Sequence, residues 1–171
     1  MFSYSLEFKG LDEQLAKFKG ADQVIDAQLT SAMQSAVLDI EGAVKPLVPV
    51  GVSGRLRNSI GSQVTREGPG SIVGRVGSDM KEEAYPAVME GGAAPHFPPP
   101  QALERWVHLK LGVPPEEAPH VAYLVARRIS QGGSKGRFYM KKGFQGAQRK
   151  VMDRFLKALA NIAQGLSNGR T

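Results

Sequence analysis

The stretch "DQVIDAQLTSAMQSAVLDIEGAV", residues 22–44, decides the fold of this chain. Its apolar residues recur every three or four positions, the period of a helix with one buried face: Ile25, Leu29, Met33, Val37, Ile40 and Val44. Asp22 suits the N-terminal cap, and Pro46 and Pro49 prevent the helix from continuing. The spacing predicts a long helix over about residues 22–44, against which other elements pack.

Strand signals lie on both sides of this helix. "FSYSLEF" (residues 2–8) alternates apolar and polar residues, as a half-buried strand does, and "LDEQLAKF" (residues 11–18) has helical spacing. After the prolines we predict a hairpin with strands at about residues 56–66 and 71–77, joined by the turn signal "EGPG". "AYPAVME" (residues 84–90) is the candidate for a third strand.

Helical spacing returns in the second half of the chain. It occurs in "PQALERWVHLKLG" (residues 100–112), where Pro100 suits the first turn, and in "APHVAYLVARRIS" (residues 118–130). The last segment also places apolar residues on one face of a helix: Val151, Phe155, Leu159, Ile162 and Leu166. These segments predict an embedded helix pair and a C-terminal helix.

The predicted fold class is α+β, with a small, mostly antiparallel sheet packed against the long helix. We expect a single domain over residues 1–166. An extended loop at 90–100 and an extended arm at 132–144 project from it, and the tail at 167–171 is flexible.

Composition excludes several classes of protein. The chain has 171 residues and no cysteine, which excludes disulfides, thiolate zinc sites and thiol catalysis. It has no run of about 18 apolar residues and no signal-peptide pattern, so we expect synthesis in a cytoplasm and no membrane contact. The net charge of +6 leaves one alternative open, a basic cytoplasmic nucleic-acid-binding protein that uses the helix pair and residues 135–142.

Residue spacing gives no support for catalysis or metal binding. His96, His108 and His120 stand twelve residues apart, which is not the spacing of a metal site. "GVSG" (residues 51–54) departs from the nucleophile-elbow pattern by one position, and "GGSKGR" (residues 132–137) lacks the Gly-Lys-Ser/Thr of a phosphate loop. We therefore predict no enzymatic activity, no cofactor and no metal.

Three stretches carry a family resemblance: "VPVGVSGRLRNSI" (48–60), "YPAVMEGGAAPHFPPPQALERWV" (85–107) and "VARRISQGGSKGRFYMKKGF" (125–144). In this order they resemble the tail-component family of long-tailed bacteriophages, whose members are head-to-tail joining, neck or tail-completion proteins. With the long helix and the C-terminal helix, the resemblance covers about residues 22–166. It implies a ring, commonly sixfold, near the junction of capsid and tail, and no enzymatic activity. The implied partners are copies of the same chain, the tail tube protein and the head connector.

This resemblance suggests a role for the rigid stretch "VMEGGAAPHFPPP" (88–100). Prolines and glycines let a segment hold an extended shape that a groove on a neighbouring subunit can bind. The candidate interface residues are Glu90, His96, Phe97, Pro98, Pro99, Phe138, Tyr139 and Met140. The alternative is that Phe97 packs into the core of its own subunit.

A ring around a DNA conduit would also explain the basic excess, because phosphate attraction needs positive charge and no particular motif. The candidate residues for non-specific contact with packaged DNA are Arg55, Arg57, Lys135, Arg137, Lys141 and Lys142.

Overall fold

The computed structural model describes residues 3–7, 22–68, 71–81 and 84–168. Within these ranges the chain forms two compact units. We call the first, from residues 1–47, 60–79 and 140–171, the sheet unit. We call the second, from residues 48–59 and 80–139, the helix-pair unit. The architecture is α+β, as predicted, whereas the prediction of a single domain stays a prediction.

Among the described residues, the sheet unit has three strands and two long helices. Its strands are β1 (Ser3–Glu7), β2 (Ile60–Gly68) and β3 (Ser71–Ser78), and its helices are α1 (Asp22–Val44) and α6 (Tyr139–Asn168), the latter from Met140 onward. The predicted long helix is therefore confirmed at both ends. The predicted helix at residues 11–18 lies outside the described residues.

The three strands form an antiparallel sheet with the order β1-β3-β2. Because β3 is the central strand, it is buried along most of its length. Gly74 on β3 lies against α1, and a Cβ atom there would stand 2.7 Å from the Met33 sulfur. A side chain at Gly74 would therefore hold the helix away from the sheet.

Helix α6 packs against α1 in the same unit. A Cβ atom on Gly143 would stand 2.8 Å from the Val44 Cα atom, so glycine allows the two backbones to approach closely. Val151, Phe155 and Ile162 of α6 are buried, as the helical spacing predicted, but Leu159 is exposed.

Where the structure describes it, the helix-pair unit has four helices and a short two-stranded ladder. The helices are α2 (Arg55–Asn58), α3 (Ala84–Gly91), α4 (Pro100–Leu111) and α5 (Ala118–Gly132). The ladder pairs β4 (Gly92–Ala93) with β5 (Ser134–Lys135). Between α4 and α5 a small core forms around Val107, Ala118 and Ala122. Both members of the predicted helix pair are confirmed.

Two of the predicted strand positions are wrong. The hairpin starts at Ile60 rather than near Leu56, because residues 55–58 form the helical turn α2. Gly54 begins this turn in the left-handed conformation (φ 66°), and its carbonyl accepts a hydrogen bond from the Asn58 N–H. The segment 84–90 lies in helix α3 rather than a strand. Pro86 is tolerated there because the N–H groups of a first helical turn have no intrahelical partner.

The predicted extended segments are also shorter than expected. In the loop at 90–100, α3 extends to Gly91 and β4 follows, so the part without helix or strand is residues 94–99. In the arm at 132–144, α6 already begins at Tyr139. The helix extends this far because Met140, Gly143 and Ala147 place a buried face at helical spacing.

Candidate assembly surface

The proline-rich loop presents an aromatic side chain. Phe97 is 51% exposed and packs edge-on against Tyr123 of α5, with 6.0 Å between the ring centroids and 62° between the planes. His96 is exposed, and its Nδ1 lies 2.9 Å from the Ala94 carbonyl oxygen. Pro98 is half-buried, and the exposed Pro99 precedes the first turn of α4. Phe97 is thus fixed at the surface of the helix-pair unit and is not part of the core.

The structure brings three predicted site residues together from distant parts of the chain. The carbonyl groups of Met89 and Glu90, at the end of α3, accept hydrogen bonds from the backbone N–H groups of Arg137 and Phe138, each 3.0 Å long. Phe138 has a φ of 54°, which is strained for an aromatic residue, and its side chain is exposed. This clamp therefore presents Phe138 outward.

Three candidate interface residues lie inside the protein, which corrects their expected place at the surface. Glu90 is 4% exposed, so its carboxyl group does not reach the surface of the described structure. Tyr139 is 1% exposed, and its hydroxyl donates to the Pro86 carbonyl over 3.2 Å. Met140 is equally buried. Tyr139 and Met140 lie in the first turn of α6, which turns their side chains inward, whereas Glu90 is buried at the end of α3.

The candidate basic residues are mostly at the surface. Lys135, Arg137, Lys141 and Lys142 are exposed. Arg55 is exposed on α2, beside a cavity of about 300 Å³ that Ser53 and Tyr85 also line. Arg57 is half-buried, with one guanidinium nitrogen 3.5 Å from the Val48 carbonyl oxygen. Contact of these residues with DNA stays a prediction.

Some basic groups of the sheet unit are neutralised within the fold. Lys150 and Arg154 of α6 contact the two carboxylate oxygens of Asp39 at 2.7 and 2.9 Å. Burial alone would raise the pKa of Asp39, but the hydrogen bonds and charges of Arg154 and Lys150 outweigh it, so the pKa lies below its ordinary value. These two side chains therefore form ion pairs that connect α6 to α1.

Glu41 is held in the same way. Lys45 donates to one of its carboxylate oxygens at 2.6 Å, and the Ser62 hydroxyl donates to the other at 2.5 Å. Burial would raise the pKa of Glu41, but these hydrogen bonds and the charge of Lys45 lower it below its ordinary value. The contact with Ser62 ties α1 to β2.

Sequence reasoning missed a set of exposed apolar side chains. In the helix-pair unit, the exposed apolar residues on α4 and α5 are Trp106, Leu109, Leu111, Tyr123 and Leu124. On α6, Met152, Leu156 and Leu159 are exposed. Their spacing on α6 was a usable signal, because a helix with one buried face needs no second apolar stripe beside it.

The described ranges show neither a cluster of metal-ligand side chains nor a helix that could span a membrane. Among these residues no group of three or more His, Cys, Asp or Glu side chains is placed to hold a metal ion. None of the helices described is both long and apolar enough to cross a bilayer. His108 contacts the Val113 carbonyl oxygen through Nδ1 at 2.7 Å, so this side chain takes part in the turn after α4.

Comparison with known proteins identifies a family for the first half of the chain. Residues 9–90 match the family model described as "Bacteriophage HK97-gp10, putative tail-component". The match supports a bacteriophage tail-component family over residues 9–90, and there it agrees with the predicted resemblance; such a family is generally structural rather than enzymatic. No curated protein and no solved structure matches the chain.

Proposed function

We propose that this chain, whose residues 9–90 match a phage tail-component family, is a non-catalytic structural protein of the virion. In this proposal it assembles with copies of itself into a sixfold ring at the junction of head and tail. The ring joins the tail tube protein to the head connector, as a neck or tail-completion component. The family match carries this proposal.

The exposed apolar side chains of the helix-pair unit support the assembly step. Phe97 and Phe138 are exposed aromatic side chains with fixed positions. Phe97 packs on the Tyr123 ring, and the backbone of Phe138 is hydrogen-bonded to the Glu90 carbonyl at the end of α3. Aromatic residues on rigid backbone bind partners at low entropic cost, because few rotamers are lost. These residues are the proposed contacts between subunits.

In the proposed ring, exposed basic side chains face the DNA conduit. Lys135, Arg137 and Lys141 would attract the phosphates of a passing genome without reading its sequence. Such attraction weakens with salt, which suits a passage better than tight binding.

Immunogold electron microscopy of phage particles, with antibody against this chain, tests the proposed location. We expect gold at the junction of head and tail. Gold on the capsid or the distal end of the tail would reject the junction. Particles without gold, with the protein in the soluble lysate and binding duplex DNA selectively at physiological salt, would establish the nucleic-acid-binding alternative.

Sedimentation velocity tests the proposed contact through Phe97. We expect Phe97→Ala to reduce self-association. Its melting temperature should stay near that of the unmodified chain, because half of the Phe97 surface is already exposed to solvent. Leu38→Ala is the matched control, since Leu38 is an exposed apolar residue on α1. A Phe97→Ala variant that loses stability but assembles normally would assign Phe97 to folding alone.

A further inference from the structure

An apolar groove runs between α1 and α6 in the sheet unit. It has a volume of about 360 Å³ and is lined by Ile40 of α1 and, on α6, by Phe144, Gln145, Gln148, Val151, Met152 and Phe155. Met152 and Leu156, 54% and 56% exposed, continue its apolar surface along the helix together with Leu159. We call this surface the α6 groove. Exposed apolar area of this kind, continuous with a concave site, is typical of an interaction surface.

Positive charge borders the α6 groove. Lys142 and Arg149 lie three residues before and four residues after Gln145, so the helical period places both beside the groove. Both are exposed, and neither forms an ion pair within the described part of the chain, unlike Lys150 and Arg154. The only acidic residue in the sequence of α6 is Asp153. Two α6 helices from different copies would therefore repel each other, and the groove favours an apolar partner with acidic residues.

The turn between α4 and α5 has this chemistry. Leu111, at the end of α4, is 51% exposed, and Pro114, Pro115, Glu116 and Glu117 that follow it are all exposed. Neither glutamate forms an ion pair among the residues that the structure describes. We call residues 111–117 the helix-pair tip.

The helix-pair tip is also rigid. The Gly112 N–H donates to the His108 carbonyl, and the N–H groups of Glu117 and Ala118 both donate to the Pro114 carbonyl at 3.0 Å. An exposed segment that is ordered before binding loses little conformational entropy when a partner binds it.

We propose that the helix-pair tip of one copy occupies the α6 groove of the next copy. Leu111 enters the apolar surface, and Glu116 and Glu117 face Lys142 and Arg149. This inference rests on the proposed self-assembly and identifies its contact. Because the tip and the groove are different surfaces, the contact is head-to-tail. Such a contact generates a closed ring when the rotation between neighbouring subunits is an integral fraction of a full turn.

Cysteine cross-linking tests the contact directly, because the chain has no native cysteine. Leu111→Cys and Met152→Cys replace exposed side chains, so neither should disturb the fold. With a short thiol-reactive cross-linker, we expect a mixture of the two variants to give covalent heterodimers. The double variant should give a ladder of larger oligomers. Leu38→Cys, exposed on α1, is the control that should not cross-link to Leu111→Cys.

Charge reversal supplies a second readout. We expect Glu116→Lys with Glu117→Lys, or Lys142→Glu with Arg149→Glu, to weaken self-association about tenfold or more at low salt. Mixing the two double variants restores opposite charges at both kinds of contact and should restore assembly. Arg127→Glu with Arg128→Glu, exposed on α5, is the charge-matched control that should assemble normally.

Three results would overturn the tip-and-groove contact. They are the absence of heterodimers between the two cysteine variants, cross-linking of Met152→Cys chiefly to itself, and normal assembly of both charge-reversed variants. Sedimentation of the unmodified chain and its location on particles are separate measurements. Assembly or gold at the junction without the cross-link would reject this contact and leave the proposed function standing.

Discussion

The sheet unit and the helix-pair unit place their large apolar side chains differently. In the sheet unit, Met33, Val44 and Val76 are almost fully buried, and α1 packs against β3 through a glycine. In the helix-pair unit, alanines fill much of the space between α4 and α5, while tryptophan, tyrosine and leucine side chains lie at the surface. The sheet unit therefore builds the deeper core and exposes an apolar stripe on α6, whereas the helix-pair unit has more exposed large apolar side chains and a smaller core.

Substitutions to alanine in the two units test whether the sheet unit has the deeper core. Met33→Ala should lower the free energy of unfolding by about 2–5 kcal/mol, because it leaves a cavity between α1 and the sheet. Leu124→Ala, at an exposed position on α5, should cost less than about 1 kcal/mol. Chemical denaturation of both variants measures the two values. Equal losses would show that Leu124 contributes to the core as much as Met33 does.

Two glycines on α6 sharpen the comparison within the sheet unit. Gly143→Ala should destabilise the protein by about 1–2 kcal/mol, since crowding against Val44 outweighs the gain in helix propensity. Gly146→Ala, with no atom within 4 Å of its added Cβ, should stabilise it by about 0.4–1 kcal/mol. Thermal denaturation should show shifts of opposite sign. Two stabilising substitutions would contradict the close approach of α6 to α1.

The helix-pair unit has buried contacts of its own, and Tyr139 tests one of them. Tyr139→Phe should cost about 0.5–1.5 kcal/mol, because it removes the hydrogen bond to the Pro86 carbonyl in a buried site. Tyr85→Phe, which removes a hydroxyl from a more exposed ring, is the control and should change stability little. An equal cost for both substitutions would mean that the Pro86 contact adds nothing.

The smallest effect concerns charge. Because its folded-state pKa is lowered, ionised Asp39 stabilises the protein above its ordinary pKa of 3.8, and this stability is lost as pH falls through the folded pKa below that value. Asp39→Asn should therefore cost roughly 0.2–1 kcal/mol at pH 7. The difference between the two proteins should shrink below pH 3.8 in pH-dependent denaturation. A difference that stays constant to lower pH would argue against the ion pairs.

The long helix α1 could be predicted from sequence to the residue because an unbroken apolar period of three to four ends at prolines. Helix α3 was missed because "AYPAVME" is short, contains a proline and fits a strand as well as a helix. The start of α6 was missed because the basic Lys141-Lys142 and Gly143 interrupt the apolar pattern. Local sequence does not show that Gly143 is needed for contact with Val44, which lies far away in the chain.

The candidate site was less predictable than the fold. The exposure of Phe97 was one of two predicted alternatives, and the burial of Glu90, Tyr139 and Met140 was not predicted. Glu90 and the start of α6 come together through pairing between residues 89–90 and 137–138, which are too distant in sequence for a local pattern to reveal. The tip and the groove were missed because sequence spacing identifies apolar positions on a helix without stating which of two neighbouring apolar stripes faces solvent.

The ladder of β4 and β5 has a consequence for how this protein can change over generations. It pairs Ala93 with Ser134, and the Ala93 N–H also donates to the Ser134 hydroxyl over 3.1 Å, so the chain leaves toward the helix pair and returns at one point. The entropic cost of closing a loop between fixed ends grows only with the logarithm of the loop length, so insertions and deletions between these ends are tolerated. We therefore expect the segment between Ala93 and Ser134, which contains the helix pair, to accept substitutions, insertions and deletions that change its binding surface without unfolding the sheet unit.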